Sequence, residues 1–189
     1  MALAYERHRV SLEEYHRMVG AGVFDPESRI ELVEGELIER EGAMNPTHAS
    51  AITRTNRLLV TRFGARATVC CQTPITLPYD SEPMPDFAIV RLDPRDYDDR
   101  HPGPDDAHLL IEIADSSRDF DRRKKVPLYA RSGIPEAWLV DLVDEVVVVY
   151  RGPSGTGYNA RFEVRRGESI APVAFPDIAL PVDALLGPL

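Results

Sequence analysis

The chain has 189 residues, the length of one domain, and it can bury a hydrophobic core without disulfide bonds. Hydrophobic residues make up 43% of it and charged residues 28%, which excludes disordered and fibrous proteins. The 22 Lys and Arg against 31 Asp and Glu give a net charge of −9, which argues against a general nucleic-acid coat, because phosphate attraction requires positive charge.

The predicted helices and strands, taken in chain order, indicate a mixed fold. Ser11 followed by Glu14 is a capping box that opens the first helix, and Gly35 supplies the positive φ of a hairpin turn. The elements are a helix over 11–19, a hairpin over 30–38, a helix over 47–63, strands over 68–77, 87–90 and 108–114, a helix over 119–131 and a hairpin over 137–150. We expect one α+β domain over residues 1–189, with a central mixed β-sheet flanked by helices. An aliphatic tail over 178–186 serves either as intramolecular core or as a dimer contact.

The sequence carries no pattern that predicts export or membrane insertion. The longest apolar run, 146–150, is too short to span a bilayer, and the first residues lack the apolar stretch of a secretory signal. The adjacent Cys70 and Cys71 would point to opposite faces of a strand, so they are poorly placed for a disulfide bond or a zinc site. We therefore expect a cytoplasmic protein with no membrane partner.

Charged residues are segregated along the chain. Residues 25–41 hold seven acidic side chains and two arginines, whereas residues 117–131 hold six basic residues and two aspartates. The predicted helix region 47–67 contains four arginines and no acid, namely Arg54, Arg57, Arg62 and Arg66. This local positive charge leads us to expect that the helix contacts a phosphate backbone.

Two acidic residues beside apolar strands are candidate metal ligands. Glu112 lies inside Leu-Leu-Ile-Glu-Ile-Ala, where an ionised carboxylate is costly unless it is paired or binds a metal. The alternative is an edge strand whose polar side is solvated. Asp86 follows Pro85 at the start of another strand, and its alternative role is that of a turn aspartate. If the two strands lie side by side, both carboxylates can bind one hard cation.

The third acidic candidate is Glu31, and the fourth candidate is the basic helix over 119–131. Glu31 shares its hairpin with Glu34 and Glu36, and all three could instead be solvent-exposed. In the helix, Lys125 and Tyr129 are four residues apart and share a side, with Asp121 one turn earlier. The alternative is an ordinary solvated helix face. Pro127 removes one backbone hydrogen bond, which predicts a kinked or tightened turn.

Several stretches together resemble one nuclease family. They are Ile30-Glu-Leu-Val-Glu-Gly-Glu-Leu37, Pro85-Asp86, Leu110-Ile-Glu-Ile113 with Ser116-Ser117, and the long block Asp121-Arg-Arg-Lys-Lys-Val-Pro-Leu-Tyr-Ala-Arg-Ser-Gly-Ile-Pro-Glu-Ala-Trp-Leu-Val-Asp141. This order resembles the PD-(D/E)XK nuclease superfamily and, more narrowly, the Uma-type family of restriction-endonuclease-like bacterial proteins. The resemblance runs from about residue 10 to the C-terminus and implies a restriction-endonuclease-like core.

The resemblance also implies a set of site residues. Glu31, Asp86 and Glu112 would be acidic site residues that bind Mg²⁺, or Mn²⁺ in its place, with Glu31 as an outer or additional ligand. Ala114 stands where the parent pattern has a lysine, so the catalytic lysine would be Lys125 on the following helix. Further candidates are the competing lysine, two residues of the basic helix and a histidine that matches a family position, namely Lys124, Asp121, Tyr129 and His48. His48 could instead be a helix-start histidine hydrogen-bonded to the backbone.

The implied function is a metal-dependent endonuclease that hydrolyses phosphodiester bonds in nucleic acid, with DNA preferred, and a homodimer would allow cleavage of both strands. Hydrolysis of a phosphodiester requires that negative charge on the transition state is neutralised and that a water molecule becomes nucleophilic. A metal ion bound by carboxylates and an ammonium group can together meet both requirements. One alternative is a non-catalytic oligomeric or nucleic-acid-associated module whose nuclease site has decayed. Another is a metal-dependent hydrolase of a small phosphorylated molecule.

Overall fold

The computed structural model describes residues 6–25, 27–39 and 45–188. Within them the helices and strands, in chain order, are α1 Leu12–Gly20, β1 Ile30–Val33, β2 Glu36–Glu39, α2 Pro46–Phe63, β3 Thr68–Cys71, β4 Phe87–Val90, β5 Ala107–Ala114, α3 Arg118–Phe120, a π-helix Asp121–Lys125, α4 Val126–Arg131, β6 Glu136–Asp141, β7 Val146–Ser154, β8 Gly157–Arg165, β9 Ser169–Ile170, β10 Leu180–Pro181 and α5 Val182–Leu186.

A six-stranded sheet organises the fold, in the order β3-β4-β5-β6-β7-β8. Its neighbours pair antiparallel except for β5 and β6, which are parallel and are joined by the helical segment that begins at Arg118. The prediction of an α+β fold with a central mixed sheet flanked by helices is confirmed. Strands β4 and β6 are buried along their whole length, which explains why their sequences are nearly continuous apolar runs.

Apolar side chains cover both faces of the sheet. On one face, α2 and α5 pack over Ile111, Trp138 and Val149. On the other face, α4 packs over Leu110, Leu139 and Val148. The aliphatic tail belongs to the first of these cores: its buried members are Ile178, Leu180, Val182, Leu185 and Leu186. Of the two roles considered for it, intramolecular packing is the one that the structure shows.

The N-terminal elements follow their local sequence signals. Ser11 and Glu14 form the predicted reciprocal capping box, and α1 ends at Gly20. The β1–β2 hairpin turns at Glu34 and Gly35, whose φ angles of 52° and 75° are both positive, as a tight two-residue turn requires. The hairpin lies outside the six-stranded sheet, and Leu32 bridges to Glu82 in the segment before β4.

Two predicted elements differ from the structure. The strand predicted over 68–77 ends at Cys71, because Gln72 adopts a left-handed φ of 48° and leaves the strand. The helix predicted over 119–131 is divided, with five π-helical residues between α3 and α4. Pro127 therefore does not tighten this turn. The backbone widens instead, and the Val126 amide donates to the carbonyl of Asp121.

No helix within the described ranges is long and apolar enough to cross a membrane. Both cysteines are free thiols. Burial raises the pKa of both thiols, and the nearby Asp86 carboxylate raises that of Cys71 further.

Candidate active site

Asp86 and Glu112 stand next to each other at the end of the pairing between β4 and β5. The last antiparallel pair is Phe87 with Ile111, so Asp86, which immediately precedes β4, comes opposite Glu112 of β5, and directly opposed residues point to the same face. Both side chains are about 1% exposed. The backbone amide of Ile113 donates to Asp86 Oδ2 at 2.8 Å. Strand β5 has partners on both sides, so the alternative of a solvated edge strand for Glu112 is wrong.

Lys125 joins this carboxylate pair to the N-terminal hairpin. Its side chain is fully buried, and Nζ lies 2.8 Å from Glu31 Oε2 and 3.3 Å from Glu112 Oε1. It also donates to the carbonyl of Met84 at 3.2 Å, while the Met84 amide donates to Glu31 Oε2 at 3.0 Å. Lys124, its competitor in the sequence, is exposed. Four segments that are distant in sequence thus meet around one ammonium group.

The same geometry separates Glu31 from its neighbours in the hairpin. Glu31 is buried beneath Lys125, whereas Glu36 is exposed. Glu34 forms an ion pair with Arg131 at 2.5 Å, outside this cluster. Alternation along β1 explains the difference in part, because Glu31 and Val33 point to the same side of the strand, and Val33 packs into the core that covers β5.

The helical segment after β5 contributes two further polar groups. Tyr129 is fully buried, and its hydroxyl donates to Glu112 Oε1 at 2.5 Å. Burial raises the pKa of Tyr129 well above its usual value, and the Glu112 carboxylate raises it further, so the phenol keeps its proton. Asp121 is also buried and accepts from the Ser117 hydroxyl at 2.6 Å. The π-helix, a backbone form that is frequent at functional sites, carries Asp121 and Lys125.

His48 lies at the opposite side of Asp86. Its Nε2 is 3.8 Å from Asp86 Oδ1, and its side chain is 14% exposed. The N-cap residue of α2, Asn45, accepts from the His48 amide at 2.9 Å and donates to Asp115 at 2.6 Å. The His48 amide thus takes part in the cap of α2, while its imidazole lies close to the Asp86 carboxylate.

Three contacts to the acidic residues come from groups that the sequence did not single out. Gln72 donates to Asp86 Oδ1 at 3.4 Å through its side-chain amide, and the backbone groups of Ile113 and Met84 bind Asp86 and Glu31 as described above. Backbone donors leave no trace in residue identity. The left-handed conformation of Gln72, which turns its side chain back towards Asp86, has no sequence signal either, since glycine is the usual residue there.

The donor set is compatible with a divalent cation that is bound mainly through oxygen. Among the described residues there is no group of three or more His, Cys, Asp or Glu side chains that could hold a metal ion. Mg²⁺, however, typically takes only one or two protein carboxylates and completes its shell with water and substrate phosphate. The adjacent Asp86 and Glu112 supply that number of carboxylates, and Glu31 is the carboxylate that lies nearer to Lys125 Nζ, at 2.8 Å against 3.3 Å for Glu112.

The arginines of α2 are bound mostly within the molecule. Arg54 donates to the carbonyl of Leu186 at 2.8 Å, and Arg62 donates to that of Ala179 at 2.6 Å. Arg66, which follows the helix, pairs with Asp177 at 2.5 Å. The expectation that the whole helix presents its arginines to phosphates is therefore too broad. The C-terminal segment, which the sequence does not place against α2, takes up part of this positive charge.

Comparison with known proteins assigns the chain to a family. One solved structure with the same fold is described as "Crystal structure of a putative nuclease belonging to DUF820 from Anabaena variabilis ATCC 29413 at 1.96 A resolution". It aligns with a TM-score of 0.70 and 16% identity, over 94% of this chain and 97% of that one. No curated protein matches the chain. The family described as "Uma2: Putative restriction endonuclease" matches residues 12–183. The chain therefore belongs to the Uma2 family of restriction-endonuclease-like proteins.

Proposed function

We propose that this protein is a metal-dependent endonuclease that hydrolyses phosphodiester bonds in nucleic acid, with DNA as the preferred substrate. One observation carries the proposal: the buried Nζ of Lys125 lies 3.3 Å from Glu112, which is opposite Asp86 at the start of the neighbouring strand. Burying a lysine and carboxylates together costs desolvation free energy, so such a cluster is weak evidence for a stabilising role. Buried groups of charged residues of this kind are concentrated at functional sites. The family description and the fold support the same class of reaction.

Asp86 and Glu112 would hold the metal, and Mg²⁺ suits two carboxylates better than softer ions do, with Mn²⁺ as a substitute. When bound, the metal would neutralise charge on the scissile phosphate and increase the acidity of a water molecule. The Ile113 amide fixes the orientation of Asp86, and the Tyr129 hydroxyl fixes that of Glu112. Both carboxylates are thus held in place before a substrate arrives, which lowers the reorganisation that catalysis requires.

Lys125 would act as the cation that faces the attacking water and the developing negative charge. Glu31 lies 2.8 Å from the ammonium, so Glu31 serves as an outer residue that positions the lysine. Lys125, which lies in the π-helix, would take the role of the lysine that the superfamily pattern has on the strand, at the position of Ala114. We assign His48 an accessory role beside Asp86, where the imidazole can contact a bound phosphate.

Two further parts of the proposal concern the setting. The two free thiols suit a reducing cytoplasm. Cleavage of both strands of a duplex needs two such sites, so we expect a homodimer on DNA.

The proposal is tested by incubating supercoiled plasmid with the protein and Mg²⁺ or Mn²⁺. We expect the wild type to nick plasmid, and Asp86→Asn and Lys125→Ala to lose at least 100-fold in rate, about the effect of removing one charge-stabilising group. Matched controls change the same residue types at exposed positions: Asp105→Asn in the loop before β5 and Lys124→Ala beside the candidate. If all four variants behave like the wild type, the assigned site does not carry the activity.

A metal titration separates an enzyme from a module with a decayed site. Metal that binds the folded protein raises its melting temperature by mass action, and Asp86→Asn should abolish that shift whereas Asp105→Asn should not. If neither metal stabilises the wild type and no nicking occurs, the non-catalytic alternative is correct. If model phosphodiesters are hydrolysed but plasmid is not, the substrate is a small phosphorylated molecule.

A further inference from the structure

A groove lined by arginines lies between α2 and the C-terminal helix α5, on the sheet face opposite to α4. Its volume is about 740 Å³, and we call it the arginine groove; it is lined by Arg54, Arg57, Leu58, Thr61, Arg62, Arg166, Asp183, Ala184, Gly187 and Pro188. Four of these residues are arginines and one is a carboxylate. The whole chain has a net charge of −9, so the positive charge of this groove is a local feature that the overall composition does not predict.

The arginines of the groove differ in how far their charge is neutralised. Arg166 pairs with Glu145 at 2.8 Å and Asp183 at 3.4 Å. Arg54 donates to Ser50 at 2.8 Å and to two backbone carbonyls, none of which carries a formal charge. Its Nε is buried and has no partner among the described residues. Among the described residues Arg54 therefore has no carboxylate partner, so no acid neutralises its positive charge beside the groove.

Arg57 is the most available of these side chains. Its side chain is exposed, and its guanidinium group forms no hydrogen bond or ion pair with any residue in the ranges that the structure describes. Only its backbone carbonyl is engaged outside the helix ladder, where it accepts from the Thr61 hydroxyl at 2.7 Å. Burial lowers the pKa of Arg54, and repulsion from Arg166 and Arg57 lowers it further, so the three guanidinium groups act on one another as like charges. An anion between them would relieve this repulsion.

Helix α2 links the groove to the candidate active site. His48, in its first turn, lies beside Asp86, whereas Arg57 is nine residues further along the helix. At about 1.5 Å per residue, this separation is about 14 Å along the helix axis, and at about 3.6 residues per turn the two side chains lie on opposite sides of the helix. Successive phosphates of one DNA strand rise by about 3.4 Å, so the axial separation alone corresponds to about four nucleotides of a strand that crosses the helix.

We propose that the arginine groove binds backbone phosphates of the nucleic acid at a distance of several nucleotides from the bond that is cut. The inference rests on the proposed function for the identity of the polymer, but it concerns binding and requires no cleavage. Guanidinium groups suit this ligand because their planar donors match phosphate oxygens. The groove would then set the path of the strand across α2 towards Asp86.

The test is a binding titration without metal, in EDTA, with a fluorescein-labelled 20-base-pair duplex and fluorescence anisotropy as the readout. Arg57→Ala should weaken binding about fivefold, the effect of one exposed ion pair. It should also lower the slope of log affinity against log salt by about one. Arg57→Glu should weaken binding more, and Arg57→Lys should retain most of the affinity and the slope. The control is Arg91→Ala, an exposed arginine at the far end of β4 from Asp86.

Each outcome bears on the groove directly. The inference is overturned if Arg57→Ala and Arg57→Glu bind like the wild type, or if Arg91→Ala loses as much affinity. It is also overturned if millimolar inorganic phosphate abolishes duplex binding at constant ionic strength, since the groove would then be a small-anion site. A wild type that binds DNA through Arg57 but never nicks it refutes the proposed nuclease and leaves the groove intact.

Discussion

Replacing Lys125 by methionine removes the ammonium group that lies between the buried carboxylates of Glu31 and Glu112. At an effective dielectric constant of about 20, an ammonium attracts a carboxylate by about 6 kcal/mol at the 2.8 Å separation from Glu31. The corresponding figure is about 5 kcal/mol at the 3.3 Å separation from Glu112. Desolvation of the ions offsets much of this gross attraction. We therefore expect Lys125→Met to lower the free energy of unfolding by about 3–5 kcal/mol at neutral pH, as for other broken buried pairs.

The loss should depend on pH in a defined direction. Without the ammonium, two carboxylates remain together in an apolar environment, and a bound proton then becomes favourable in the folded state. The folded variant thus binds more protons than its unfolded chain, and stability falls with rising pH wherever that holds. The difference between variant and wild type should therefore shrink as the pH is lowered from about 8 to about 5, towards the range in which glutamate titrates.

The assay is urea denaturation followed by fluorescence of Trp138, the only tryptophan, which is fully buried. Lys124→Met is the matched control, since this neighbour is exposed, and we expect its unfolding free energy to stay within about 0.5 kcal/mol of the wild type. The double variant Lys125→Met with Glu31→Gln should recover part of the loss. Equal stability of Lys125→Met and wild type across the whole pH range would refute the buried charge cluster.

Two further predictions concern the groups around the site. Tyr129→Phe should lower the nicking rate by about 10- to 100-fold, through loss of a hydrogen bond to the Glu112 carboxylate worth about 1.5–3 kcal/mol. Because burial holds the pKa of Tyr129 well above 10, its hydroxyl stays protonated at lower pH. The ratio of variant to wild-type rates should therefore stay constant between about pH 6 and pH 9. A ratio that changes over this range would contradict the assignment. Asn45→Ala should lower the free energy of unfolding by about 1 kcal/mol through loss of the α2 cap. Asn45→Ser keeps a cap acceptor but not the amide donor to Asp115, so it should recover most of this loss. Equal losses for the two variants in urea titrations would show that the Asp115 contact dominates.

The helical segment over 118–131 shows how far sequence reasoning reaches in this protein. Spacing placed Lys125 and Tyr129 on one side of a helix, and both are buried against the same carboxylate. The π-helical turn was not predictable, because the missing amide of Pro127 is compatible with several backbone adjustments. The choice between Lys124 and Lys125 likewise depended on which of two adjacent lysines faces the core.

The hairpin gives a second example. The sequence offered Glu31, Glu34 and Glu36 with no means to rank them by spacing, and only the resemblance favoured Glu31. Packing separates them: the Met84 amide and Lys125 approach Glu31, while Arg131 pairs with Glu34. Met84 and Lys125 lie more than fifty residues from Glu31 in the chain, so local patterns hold no information about these contacts.

Local periodicity, capping residues and apolar runs determined the mixed fold of this chain, because they act over a few residues and appear directly in the letters. They also identified Glu112 as a carboxylate in an apolar strand, which the structure buries. Tertiary structure alone decided that Asp86 is its neighbour, that one lysine joins it to Glu31, and that the C-terminal segment binds arginines of α2. These contacts join residues far apart in sequence, and their energies depend on distance and burial, which exist only after the chain has folded.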